Sequence, residues 1–139
     1  MSDLNRRSAL ALFSVATAAP LVGLATPAAA EMYGPNEGKE IMPGTRQVDL
    51  GEYPVSIGGY KKAVVTDYVT APGGVFPVDT MKNDMICHIL EGQYWVKQND
   101  WVFTAKAGHV FTCATGMTEE DKNTGTVTAI MRVTDLLTA

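Results

Sequence analysis

From residue 46 onward the chain is a succession of short β-rich runs, each stopped by Gly, Pro, Asn or Asp, and that punctuation limits the fold more than any other feature. Gln47-Val48-Asp49-Leu50 alternates apolar with polar. Val55-Ser56-Ile57 alternates and halts at Gly58-Gly59. Residues 63–70 are rich in β-branched side chains and end at Pro72-Gly73-Gly74. Further runs cover residues 85–90, 93–98, 101–106, 110–113 and 126–133, and Asn99-Asp100 sits where a tight hairpin turn is expected. No stretch sustains a helical repeat, although residues 118–121 leave room for one helical turn. Many short strands at regular spacing predict an all-β antiparallel sandwich or barrel over residues 46–139. Gly34-Pro35, Gly38 and Pro43-Gly44 break up residues 31–45, which read as an irregular arm, neither helix nor long strand.

The first 30 residues read differently. Arg6 and Arg7 precede an apolar, Ala-rich run over residues 9–25, and Pro27-Ala28-Ala29-Ala30 supplies the small side chains of a signal-peptidase site. This pattern predicts a cleaved export signal. A membrane anchor is the competing reading, disfavoured by the Pro and Gly in the run and by the small-residue site after it. No later stretch approaches the roughly 20 apolar residues of a spanning helix. Asn5-Arg6-Arg7-Ser8-Ala9-Leu10 is similar to a twin-arginine signal, with Ala9 where Phe is frequent. The expectation is a periplasmic protein exported by the twin-arginine route, with general secretion as the alternative.

The chain carries a net charge of −4; the leader contributes +1 through Arg6, Arg7 and Asp3, so residues 31–139 carry −5. Phosphate recognition needs clustered Lys and Arg, so this balance argues against nucleic acid as a partner. Lys61-Lys62, the adjacent basic pair outside the leader, reads as a solvated face. Cys87 and Cys113 leave two readings open: one disulfide outside the cytoplasm, or two buried thiols.

Ile89-Leu90-Glu91-Gly92-Gln93-Tyr94-Trp95-Val96 reads as a strand, a turn and a strand, and Ala107-Gly108 follows the hairpin at Asn99-Asp100. In these features residues 72–133 resemble the cupin superfamily, the first stretch being similar to the close of its first motif and Ala107-Gly108 to the opening of the second. The turn residues Gly73, Gly92, Gly108, Gly116 and also Asn123 keep the register of both motifs. The resemblance implies an antiparallel jelly-roll β-barrel. It also implies a pocket at four positions where metal-binding members carry three His and one Glu. Here those positions are Asp79, Met81, Met85 and Glu119. Two carboxylates and two thioethers suit no common divalent ion, because thioethers prefer soft Cu(I) and carboxylates prefer hard ions. No metal or other cofactor is therefore expected, with a nonstandard metal site as the alternative.

Neither histidine is placed as a ligand. By alternation His88 points away from Met85, and His109 opens a strand at the surface. No nucleophile elbow, phosphate loop or His-Glu-x-x-His is present. Glu119-Glu120-Asp121 reads as a solvated acidic tip, except that the motif register turns Glu119 inward and makes it the one candidate acid or base. Phe76, Tyr94, Trp95, Trp101 and Phe103 are candidates for lining a pocket, with core packing as their ordinary role. Two functions fit: a metal-free module binding a small ligand or a co-exported partner protein, and an isomerase, lyase or dioxygenase with unusual ligands. A homodimer is expected from the resemblance.

Overall fold

The computed structural model describes residues 32–139, so the expected export signal lies outside the described residues. Ten strands and no helix make up the described chain: β1 (Lys39–Met42), β2 (Thr45–Pro54), β3 (Lys62–Thr70), β4 (Val75–Thr80), β5 (Asp84–Glu91), β6 (Gln93–Gln98), β7 (Trp101–Lys106), β8 (Val110–Cys113), β9 (Thr118–Lys122) and β10 (Ala129–Leu137). They form a six-stranded sheet, β1-β2-β3-β10-β5-β8, and a four-stranded sheet, β4-β9-β6-β7. Every pairing is antiparallel.

The core lies between the sheets. Cys87, Ile89, Phe111, Met131 and Val133 come from the six-stranded sheet and meet Tyr94, Val96 and Ala105 from the other. Alternation places them there, since side chains two apart on a strand share a face. Between β5 and β6 one residue, Gly92, carries the chain from one sheet to the other. Its φ is 69°, and a Cβ there would stand 2.8 Å from the Ala129 backbone, which explains why only glycine fits.

The arm is less irregular than its Gly and Pro content suggests. Lys39–Met42 forms a strand, because the turn at Pro43-Gly44 folds it back onto β2 with Lys39 opposite Gln47. Residues 32–38 cover the outer face of the six-stranded sheet, where Tyr33 packs with Val48, Val69, Leu90 and Ile130. Two polar anchors hold the arm. Arg46 Nη1 donates to the carbonyls of Gly34 and Glu37. The Tyr33 hydroxyl donates to Asp67, which is wholly buried and also takes both N–H groups of a bidentate pair with Arg132 at 2.8 Å each.

Two other expectations are corrected. Residues 55–57 are not a strand: β2 runs through a bulge at Gly51 to Pro54, and the following residues turn back, with Tyr60 N–H donating to the Ile57 carbonyl at 3.1 Å. Residues 118–121 form part of strand β9 and not a helical turn, because β4 and β6 both pair with them.

Candidate functional site

Strand β9 reads Thr-Glu-Glu-Asp-Lys and alternates in burial, so Glu119 and Asp121 point into the molecule while Thr118, Glu120 and Lys122 lie on the other face. On β4 a bulge between Phe76 and Asp79 resets the register, and Asp79 comes to lie opposite Glu119. The two strands, with β3, β5 and β10 across from them, bound a cavity of about 520 Å³. All four motif-derived positions line it. Asp79 stands exposed at the rim, Met81 and Met85 are half-buried in the wall, and Glu119 is buried. Met42, Met131, Tyr68 and Phe76 add thioether and aromatic surface.

Glu119 is held from the side. Gln98 Nε2 donates to Glu119 Oε2 at 2.7 Å and to the Thr112 carbonyl at 2.9 Å. Asp121 is 5 % exposed, and no donor among the described residues reaches its buried Oδ1. Burial, above all, pushes its carboxyl well above the usual carboxylate range; the charge of Glu119 and a hydrogen bond between the two carboxyls add to the effect. Asp121 accordingly tends to keep its proton. Burial also raises the Asp135 carboxyl and the Tyr68 phenol on the far wall.

The remaining candidates lie elsewhere. Of the five aromatic residues only Phe76 lines the cavity. Tyr94 is a core residue whose hydroxyl meets Thr70 Oγ1 at 2.9 Å. Trp95 lies on the outer face beneath the Lys122 ammonium, 4.7 Å from its ring centre. Trp101 is 63 % exposed and stacks at 4.4 Å on Phe103, which packs against Phe111. His88 faces outward between Arg132 and Val110, and the exposed His109 leans on Phe103.

Cys87 and Cys113 are both free and buried. Cys87 lies opposite Phe111 and Cys113 opposite Met85, so the two cysteines are diagonal neighbours across β5 and β8. Diagonal neighbours are about 7–8 Å apart, beyond the usual reach of a disulfide. Burial raises the Cys113 thiol to about 12 and Cys87 further, so neither is a ready nucleophile.

The sequence reading missed Asp121, Tyr68, Met131 and Asp135. The signal for Asp121 was available: it stands two residues after Glu119, on the same face of one strand.

No family model and no curated protein sequence matches the chain. Solved structures do. KdgF from Halomonas sp. superposes with a TM-score of 0.60 at 11% identity, over 70% of this chain and 83% of that one. An RmlC-like cupin from Shewanella frigidimarina gives 0.59 at 12% identity, over 80% and 94%. The cupin domain of Cnp3 from Schizosaccharomyces pombe gives 0.56 at 20% identity, over 67% and 64%. Two antiparallel sheets enclosing a cavity, with these structural relatives, make the chain a cupin-fold protein. At such identities the likeness is one of fold.

The metal that many cupins carry does not fit the donors present. Asp79, Met81, Met85 and Glu119 mix hard and soft ligands. Among the described residues no three His, Cys, Asp or Glu side chains converge as a metal-binding group.

Proposed function

We propose that the protein is an exported, metal-free cupin-fold module that binds a small organic ligand in the cavity between its sheets. The supporting observation is the cavity itself. Its volume of about 520 Å³ falls in the range of ordinary ligand sites, and its thioether and aromatic walls surround a few inward-facing polar groups. The leader read in the sequence supports a periplasmic location by the twin-arginine route, in the company of a co-exported partner. A homodimer is supported by the outward faces of β5 and β8, where Ile86 is 39 % and Val110 53 % exposed. The test is elemental analysis of protein exported by its natural host, followed by thermal melting against a small-metabolite panel. Metal-free protein stabilised by a metabolite is the expected result; stoichiometric metal sinks the reading.

One observation favours an enzyme as the second reading. A buried carboxyl whose pKa is raised above the usual carboxylate range, as at Asp121, is a group able to give and take a proton. Turnover of any ligand that binds, reduced in a Glu119→Gln variant, would select this reading over the first.

A further inference from the structure

The cavity is strongly biased in charge. Asp79, Glu119, Asp121 and Asp135 line it, against the single base Lys82. Acidic side chains alone would not define a site. Here a second feature stands beside them: Asp121 is 95 % buried, lines the cavity, and offers an Oδ1 that no donor among the described residues serves. A buried acceptor without a donor is costly, so its partner must come from outside the chain or be a proton on the Asp121 carboxyl itself. The rest of the wall is suited to a cation with an apolar body. Tyr68 and Phe76 meet edge to face at 5.2 Å and present π surface, and four methionines present polarisable sulfur.

We propose that the cavity takes a small organic ammonium ion, whose N–H donors serve the Glu119 and Asp121 carboxyls while its carbon skeleton rests on the thioether and aromatic walls. The proposal rests on the small-ligand reading above and narrows it to one ligand class. A divalent cation would need several oxygen donors without interruption, and Met81 and Met85 occupy two of the four motif positions. An ammonium ion needs only two or three acceptors and an apolar lining.

The proton balance follows. Before binding, burial keeps a proton on the Asp121 carboxyl. The ammonium replaces it, and the proton leaves to the buffer. Binding therefore tightens as pH rises, while the amine itself stays charged. The groups facing the pair are consistent with this sign. Asp79 on β4, Asp135 on β10 and Lys82 after β4 line the same cavity. Cys87 on β5, Cys113 on β8, Tyr68 on β3 and Tyr94 on β6 all have raised pKa values and stay uncharged near neutrality. On β9 itself Glu120 faces outward and is paired with Lys122 at 2.8 Å.

The experiment is calorimetric titration of the purified protein with butylamine, putrescine and 2-phenylethylamine, each beside its alcohol and carboxylate analogue. Each run is repeated in two buffers of different ionisation enthalpy. At least one amine is expected to bind about tenfold or more tighter than its alcohol, as loss of a buried charge-assisted contact implies, with net proton release. Asp121→Asn should remove that preference and the proton release, with binding of the alcohol kept; Glu119→Gln is the second variant should the first fold poorly. Alcohols binding as tightly as amines overturn the ammonium assignment and leave the small-ligand reading standing. Failure of all nine compounds to bind overturns the assignment, and failure of the metabolite panel as well overturns both. Stoichiometric uptake of Mn²⁺ or Zn²⁺ that Asp121→Asn abolishes also overturns it.

Discussion

Gln98 ties Glu119 to the facing sheet: its Nε2 donates to Glu119 Oε2 at 2.7 Å and to the carbonyl of Thr112, on β8, at 2.9 Å. Replacing Gln98 with Leu leaves a buried carboxylate and a carbonyl without this donor. The expected loss is about 1–3 kcal/mol of stability, read from the urea midpoint. An unchanged midpoint would show that Gln98 does not bear on the site.

Asp121 sets a pH dependence whose sign is fixed by its environment. Its folded carboxyl titrates above its ordinary value of 3.8. The folded state therefore binds the proton more tightly than the unfolded one. Its stabilisation is full below about pH 4 and is lost as pH climbs through the folded value. Relative to Asp121→Asn, which has no proton to lose, the natural protein should weaken with rising pH, at most by about 1.4 kcal/mol per pH unit. Paired melting curves from pH 4 to 8 check this; parallel curves contradict it.

Gly92 and Gly108 both have positive φ, 69° and 90°, but differ in surroundings. A Cβ at Gly92 collides with Ala129 at 2.8 Å, whereas at Gly108 it meets nothing within 4 Å. Gly108→Ala should cost only the backbone strain, about 1–2 kcal/mol. Gly92→Ala should cost clearly more, and equal losses in chemical denaturation would refute the close-approach argument.

Arg132 neutralises the fully buried Asp67. Arg132→Met should cost about 2–3 kcal/mol, less than the roughly 3–5 kcal/mol of a wholly enclosed pair, since Arg132 stays partly solvated. Tyr33→Phe removes one hydrogen bond of the same group and should loosen residues 32–38, raising their cleavage in limited proteolysis while the sheets stay intact.

Cys87 and Cys113 should both titrate with a thiol reagent after denaturation and react slowly in the native protein, given their burial and raised pKa values. A count of zero in denaturant without reductant would establish a disulfide.

The turn glycines made the barrel legible in the sequence, because a turn that only glycine can make fixes register on both sides of it. Strand β9 was not legible. Pattern reading expects apolar side chains at inward positions, and here those positions hold Glu119 and Asp121. A strand whose buried face is made of carboxyls looks like a solvated loop, so the element most relevant to the site was the one misread. Strand β1 was hidden for a related reason: a four-residue strand held by one hairpin leaves too short a pattern to read. Asp135 and Met131 gave no motif signal, since only the pairing of β10 with both β3 and β5 brings them to the cavity.

The two walls formed by β9 and β4 differ mechanically. Strand β9 is bonded on both sides, by β4 and β6, whereas β4 is the outermost strand, bonded only to β9 and interrupted by its bulge. Opening a gap beside β4 breaks one short ladder; displacing β9 breaks two. Glu119 and Asp121 thus stand on a fixed jamb and the door is the edge strand, so a guest of this cavity should come and go past Pro77 and Val78 without disturbing those two carboxyls.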